Sequence, residues 1–272
     1  MGELNEKLDK YYDGALADQS TFLRGAVVTA RYIVGSAIRW TFRARYENLE
    51  VFDKLPEGRG VVIAGNHSSY TDPMFVFDGI WPRRVRFMAK GELFTHKILD
   101  HLLAWTGVFP VYTDARGRKA IKRSIACLRR GENVGIFPEA TRVKYDDPRV
   151  IEPSEGVALI AKMADTLIVP VGIKGTIDIS PHGSKRLHFP KVVLRFGDPI
   201  DWHDYKDLGK NEMLTEVTAE TMRRVRQIVA DLGGAPEVIR VGKAPAADDA
   251  AEAAGDAGVS DQKDPARDSG KE

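Results

Sequence analysis

From residue 61 onward the chain alternates short apolar runs with longer stretches whose apolar positions recur every three to four residues. The short runs predict buried strands at 61–65, 85–90, 107–113, 133–139, 166–173 and 191–200. The amphipathic stretches predict one helix beginning near Pro73, one ending at about Trp105, and others at 119–130, 155–163 and 211–232. Strands that alternate with helices in this way indicate an α/β fold, with a mostly parallel sheet flanked by helices.

A longer apolar stretch with regularly spaced arginines precedes these strands. Residues 20–45 predict a helix rich in Val, Ala and Ile, after a polar segment, 1–18, that could form a short helix. One stripe of the longer helix carries Arg24, Val28, Arg31, Gly35, Arg39 and Arg43. Such a stripe suits a membrane interface, with the arginines towards anionic headgroups, but a core helix with solvated arginines would show the same pattern. No run reaches the roughly 18 apolar residues that a spanning helix needs.

The end of the chain differs in composition from the rest. Apolar periodicity stops at about residue 235, and residues 236–272 hold nine acidic side chains against five basic ones. We expect a disordered acidic tail there, an α/β domain over 46–235 and an N-terminal helical membrane-interface element over 1–45. With a net charge of +1 for the whole chain, the part before the tail is mildly basic. A single cysteine, Cys127, excludes an internal disulfide, and the polar start lacks a secretory pattern, so we expect a cytoplasmic location.

The sequence GNHSSYTDP at 65–73 places a histidine and an aspartate after a predicted buried strand. His67 precedes Asp72 by five residues, and an imidazole held by a carboxylate can act as a general base. Asn66 reaches the same strand end. Asp72 before Pro73 also fits an ordinary helix N-cap, and His67 could be a loop histidine without a catalytic task.

The sequence FPEATR at 137–142 also follows an apolar run and should reach the same edge of the sheet. Arg142 offers a fork of N–H donors that matches a phosphate group, Thr141 adds a hydroxyl, and Glu139 lies three residues before the arginine. A Glu–Arg surface pair that stabilises a turn is the structural alternative. In IVPVGI, at 168–173, Pro170 interrupts a strand and predicts a sheet edge, a bulge or a strand end.

In this order, these motifs resemble those of the glycerolipid acyltransferase family, which includes bacterial 1-acyl-glycerol-3-phosphate acyltransferases. NHSSYTD is similar to the family's first block, NHxSxxD, FPEATR to its third, FPEGTR, and IVPVGI to its fourth, while MAKGELF at 88–94 and FGDPI at 196–200 add weaker similarity. The resemblance covers about residues 45–202 and implies the family's α/β fold, often preceded by membrane-contacting helices. Two positions depart from the family pattern: Ala140 replaces a glycine, and Thr113 stands where the second block usually has an arginine. Arg116 and Arg118 are the candidates for the phosphate contact of that arginine.

The resemblance implies acyl transfer from acyl-CoA or acyl-carrier protein to the hydroxyl of lysophosphatidate, which makes phosphatidate for phospholipid biosynthesis. It implies His67 as the general base and Asp72 as the carboxylate that holds the imidazole. The implied substrate-binding residues are Glu139, Thr141, Arg142, Lys90 and Asn66, although a surface position explains Lys90 equally well. No cofactor or metal is expected, and the enzyme would act as a peripheral or monotopic protein on the cytoplasmic face of the cell membrane.

The expected partners are an anionic membrane surface, the lysophospholipid acceptor and the thioester donor, without nucleic acid. Residues 116–130 hold seven basic side chains and no acidic one, which suits anionic lipid or CoA phosphates, or a solvated helix face. The histidines lack the spacing of metal ligands. Three alternatives stay open: another lysolipid acceptor such as a glycolipid or an amino-acid lipid, a metal-dependent hydrolase that uses His67 and Asp72, and a non-catalytic lipid-binding module. The sequence does not indicate an oligomeric state.

Overall fold

A computed structural model describes residues 21–91, 108–111, 117–142, 151–180 and 186–234 of the chain. The short helix expected within 1–18, the helix expected to end near Trp105, Thr113, Arg116 and the acidic tail lie outside these residues. The chain divides into two compact units, Met1–Pro148 with Pro153–Val238, and Arg149–Glu152 with Ile239–Glu272. Every element below belongs to the first unit.

A seven-stranded sheet forms the centre of this unit, in the order β1-β7-β6-β2-β5-β3-β4. The strands are β1 Arg45–Glu47, β2 Val62–Gly65, β3 Val85–Lys90, β4 Phe109–Val111, β5 Asn133–Ile136, β6 Ile168–Lys174 and β7 Val193–Phe196. The block from β6 to β4 is parallel, and β7 with β1 runs in the opposite direction at one side. The predicted mostly parallel sheet is confirmed.

Helices cover both faces of the sheet because successive strand side chains point to opposite faces. The helices are α1 Thr21–Thr41, α2 Asp72–Gly79, α3 Gly117–Arg129, α4 Gly156–Ala164 and α5 Lys210–Asp231. On one face Ile63, Val169 and Val171 pack in a core with α2 and the end of α1. On the other, Val62 and Val134 pack in a core with α3, α4 and α5. The strand ends are therefore the part of the sheet left open for a site.

Pro170 lies inside β6, which is a central strand. Its carbonyl accepts from the N–H of Gly197, so the missing proline N–H also faces the β7 side. The pairing between β6 and the chain after β7 is interrupted at this point. Val171 pairs with Phe196 and Ile168 bridges Ile200. Three residues, 197–199, therefore lie opposite two residues of β6, 169–170, which is a bulge. Of the three positions predicted for this proline, a bulge is the one found.

The end of α1 is packed against α2, and Arg39 takes part in this contact. Gly35 and Ile38 are buried, and the Arg39 guanidinium donates to Asp78 at 2.9 Å. The same Asp78 oxygen accepts from the Tyr46 hydroxyl at 2.6 Å. Arg39 thus reaches α2 although its side chain stays half exposed. The same part of α1 also exposes large apolar side chains: Tyr32, Ile33, Val34 and Trp40. No helix within the described ranges combines the length and apolarity needed to cross a membrane.

Candidate active site

The loop 66–71 leaves the carboxyl end of β2 and is fixed to the neighbouring strand by Asn66. The Asn66 amide accepts from the main-chain N–H of Ile173 at 2.8 Å and donates to the carbonyl of the same residue at 2.9 Å. The asparagine is 5% exposed. Both polar atoms of its side chain take part in this contact, so Asn66 positions the loop; its predicted contact with substrate stays a prediction.

His67 and Asp72 meet at this edge. The His67 Nδ1 and Asp72 Oδ2 atoms are 2.9 Å apart, and the same Oδ2 accepts from the main-chain N–H groups of Ser68 and Ser69 at 2.8 Å each. Asp72 is the first residue of α2, after Thr71 at the N-cap, and its carboxylate turns back towards the loop. The N-cap alternative is therefore wrong. The buried carboxylate holds both the loop and the imidazole.

The loop 137–142 follows β5, the neighbour of β2, and supports His67 from two directions. The Phe137 ring stacks on the imidazole, with centroids 4.4 Å apart and planes at 15°. The Glu139 carboxylate accepts from the main-chain N–H of His67 at 2.8 Å. Glu139 is only 3% exposed, so it joins the two loops through the backbone. Sequence reasoning placed Glu139 on the acceptor and gave Phe137 no role, although its position directly after an apolar run was the available signal.

Ala140 has φ +54°, a backbone conformation that favours glycine. This is the position where the family motif has glycine, and the structure shows how the alanine is accommodated: the residue is exposed, in the left-handed region. The chain thus carries strain in the loop that holds Glu139 and Arg142, at a cost of about 1 kcal/mol.

Arg142 is placed against the first loop by an aromatic contact. Its guanidinium carbon lies 3.5 Å from the centroid of the Tyr70 ring. Thr141 is half-buried beside it, and Arg142 itself is exposed. Lys90 is exposed at the carboxyl end of β3, with β5 between β3 and β2. The structure therefore brings His67, Asp72, Glu139 and Arg142 together and leaves Lys90 further along the same edge.

A second charged cluster lies at the opposite edge of the sheet, where β3 and β5 begin. Glu132 accepts from Arg86 at 2.8 Å and from Arg84 at 3.0 Å, and Arg130 lies at 3.6 Å. Burial alone would raise the pKa of Glu132, but the Arg86 hydrogen bond and the charges of the three arginines outweigh it, so this pKa lies below its ordinary value. The cluster anchors strands and takes no part in the histidine site.

The basic stretch 117–130 is divided between surface and interior. Arg118, Lys119, Lys122, Arg129 and Arg130 are exposed, whereas Arg123 is buried. Cys127 is buried as well, and this burial raises the pKa of its thiol. Among the residues that the structure describes, no three His, Cys, Asp or Glu side chains are grouped so that they could hold a metal ion.

Comparison with known proteins connects this geometry to one family. Residues 44–174 match the acyltransferase family. The chain is 33% identical over 183 residues to the 1-acyl-sn-glycerol-3-phosphate acyltransferase of Bacillus subtilis, covering 66% of this chain and 87% of that protein. It is 30% identical over 191 residues to the enzyme of the same name from Streptococcus pneumoniae, covering 70% of this chain and 65% of the other.

The fold is also similar to a solved one. The crystal structure of the 1-acyl-sn-glycerophosphate acyltransferase from Thermotoga maritima superposes with a TM-score of 0.56 at 22% sequence identity. The match covers 89% of this chain and 99% of that one. At this identity the likeness shows a shared fold.

Proposed function

Because the chain belongs to the glycerolipid acyltransferase family, we propose that it acylates the free hydroxyl of 1-acyl-sn-glycerol-3-phosphate and so makes phosphatidate. Two relatives that share 30–33% of aligned residues carry the name of this activity. The His67–Asp72 contact at 2.9 Å is the observation on which the mechanism rests. The acyl donor is a thioester, either acyl-CoA or acyl-carrier protein.

The proposed chemistry begins with a neutral imidazole. Its Nδ1–H donates to Asp72, so the proton of the acceptor hydroxyl goes to Nε2 as the oxygen attacks the thioester carbonyl. The negative Asp72 stabilises the imidazolium that forms. Collapse of the tetrahedral intermediate breaks the carbon–sulfur bond, and the imidazolium returns its proton to the leaving thiolate. Protein atoms form no covalent bond in this scheme, which agrees with Cys127 being buried away from the site.

Arg142 and Thr141 bind the acceptor phosphate in this proposal. The Arg142 guanidinium carbon lies 3.5 Å from the centroid of the Tyr70 ring, which places the cation beside the first loop. A guanidinium can bind two oxygens of one phosphate. Lys90, at the same edge, adds positive charge that attracts the anionic acceptor. Glu139 and Asn66 act indirectly in this proposal: their hydrogen bonds to the main chain position the loop that carries the imidazole.

The place of action proposed is the cytoplasmic face of the cell membrane, with peripheral attachment through α1. The exposed apolar residues of α1 supply the attachment, since Arg39 is paired with Asp78. An anionic lipid surface is the expected partner.

The test is an acyl-transfer assay with purified protein, acyl-CoA or acyl-carrier protein, and a panel of lysolipid acceptors, read by mass spectrometry. Turnover of lysophosphatidate by the wild type and its loss in folded His67→Ala, by about 10²–10⁴-fold, are expected. Preference for a lyso-glycolipid or an amino-acid lipid would move the assignment to that acceptor. Thioester-independent ester hydrolysis that a chelator abolishes would indicate a hydrolase, and absence of turnover with every acceptor would indicate a lipid-binding module.

A further inference from the structure

Two chain segments outside the motifs reach the catalytic edge of the sheet because β7 and β1 run against β6. Lys174, at the carboxyl end of β6, pairs with Val193 at the start of β7, and Val193 pairs with Arg45 at the start of β1. Ile173, one residue earlier, is the partner of Asn66. The residues that lead into β7 and β1 therefore enter the sheet at the edge that carries His67.

The segment that leads into β7, residues 186–191, here called the rim segment, exposes two large apolar side chains. Leu187 is 67% exposed and Phe189 is 55% exposed. Hydrogen bonds hold the backbone of this segment: the main-chain N–H of His188 donates to the carbonyl of Ile179 at 2.9 Å, and the Arg43 guanidinium donates to the carbonyl of Phe189 at 2.9 Å. The Phe189 ring also packs at 5.6 Å from Phe42. The exposure thus belongs to an ordered segment.

The charge within the rim segment and the segment that leads into β1 has one sign, although the exposed Asp178 lies next to Ile179, the partner of His188. Residues 186–192 and 42–45 together contain four basic residues, all exposed, and no acidic one: Arg43, Arg45, Arg186 and Lys191. Apolar side chains surrounded by cations match the boundary of an anionic bilayer, where the apolar groups enter the acyl region and the cations stay at headgroup level. A soluble partner protein would have to offer an acidic apolar surface of the same outline.

We propose that the rim segment is a membrane-contacting element distinct from α1, which inserts Leu187 and Phe189 into an anionic bilayer beside the catalytic edge. Phe189 contacts Phe42, and Phe42 contacts the buried Phe75 at 5.4 Å, one turn after Asp72 in α2. Contact with the bilayer here brings the edge that carries the His67–Asp72 pair to the lipid surface. The inference rests on the proposed function in one respect, because a lipid acceptor is what makes this placement useful.

Vesicle flotation of the full-length protein tests the rim segment without measuring turnover. The double variant Leu187→Ser/Phe189→Ser should bind vesicles of phosphatidylcholine with 30% phosphatidylglycerol at least about tenfold more weakly than the wild type. Met163→Ser is the matched control, since Met163 is 50% exposed but precedes β6, whose start lies at the opposite edge. This control should float like the wild type. Unchanged flotation of a double variant with unchanged melting temperature overturns the proposal.

A second measurement covers the case in which the double variant does not fold. Leu187→Trp should show a blue-shifted gain in fluorescence, relative to the wild type, when the anionic vesicles are added. If that difference is absent, Leu187 stays in water and the proposal fails. If the double substitution halves the molar mass in solution and leaves flotation intact, the surface contacts a second copy, which also overturns it.

Flotation and turnover separate this proposal from the function on which it rests. If flotation depends on Leu187 and Phe189 but the protein acylates no lysophosphatidate, the membrane element is supported and the proposed function is refuted. If the protein acylates lysophosphatidate but floats independently of these residues, the proposed function is supported and the membrane element is refuted.

Discussion

The substitution Asp72→Asn separates the electrostatic role of this carboxylate from its structural role. Oδ2 accepts three hydrogen bonds, whereas the buried Oδ1 has no hydrogen-bond partner among the residues that the structure describes. The asparagine oxygen can replace Oδ2 and keep the contacts with Ser68 and Ser69. Its NH₂ group then occupies the Oδ1 position without an acceptor, which we expect to lower the free energy of unfolding by about 1–3 kcal/mol.

The expected loss of rate is larger than this loss of stability. With 2.9 Å between Nδ1 and Oδ2, the centres of the two charges lie roughly 4 Å apart when the imidazolium forms. At an effective dielectric constant of about 20 their attraction is about 4 kcal/mol. Because a neutral amide lacks this attraction, kcat should fall by about a thousandfold, at 1.36 kcal/mol for each factor of ten.

The assay follows release of the free thiol from acyl-CoA, with lysophosphatidate in detergent micelles, alongside thermal unfolding by circular dichroism. His67→Gln is the reference, since it removes the base and leaves Asp72 in place. We expect a cooperative melt for Asp72→Asn and a rate close to that of His67→Gln. A folded Asp72→Asn protein with kcat within about threefold of the wild type would refute the reasoning. The only role left to Asp72 would then be to hold the loop.

Three further predictions concern strain, acceptor binding and acid stability. Ala140→Gly should raise the melting temperature by roughly 2–4 °C, because it relieves about 1 kcal/mol at φ +54°, and an unchanged or lower value contradicts this. Tyr70→Leu should raise KM for lysophosphatidate more than KM for the thioester, and Tyr70→Phe should keep both values close to those of the wild type. In an Arg142→Ala background neither substitution should change KM, which a double-mutant cycle tests. Glu132→Gln should cost about 3–5 kcal/mol near pH 7 by urea unfolding. The folded pKa of Glu132 lies below its unfolded value, so its stabilisation is present at neutral pH and is lost as the pH falls through the folded pKa; the variant should lose that acid dependence, and an unaltered pH profile would contradict it.

Much of the fold could be predicted because apolar runs mark buried strands. All six strands expected from residue 61 onward are present. Four of them are shorter than expected, β3 has the expected bounds, and β6 starts two residues later and ends one residue later. The strand β1 was missed, since Arg45–Glu47 is three residues long and two of its residues are charged. The direction of β7 was missed for a different reason, because an apolar run gives burial and not direction. That direction decides which segments reach the edge of the sheet that carries His67.

For the site, sequence spacing predicted the close approach of His67 and Asp72 but not the residues that support it. Glu139 reaches the main chain of a residue 72 positions away, and Asn66 one 107 positions away. Such contacts depend on which strands are neighbours, which local patterns do not specify. Arg39 shows the same limit, since its ion pair with Asp78 follows from how two helices pack. The catalytic and phosphate-binding roles themselves stay predictions until the variants are measured.

The hydrogen bonds that hold the backbone around the imidazole have a consequence for protein engineering. Glu139 holds the N–H of His67, Asn66 holds the main chain of Ile173, and Asp72 holds two further N–H groups. None of these hydrogen bonds needs an imidazole at position 67, so the frame and the reactive group are separable modules. A designer could exchange the side chain at 67 for a neutral group such as a thiol and keep the loop geometry around it, whereas a carboxylate would be repelled by the buried Asp72. By the same logic, natural descendants of such a chain can change their chemistry at one codon without rebuilding the loops around it.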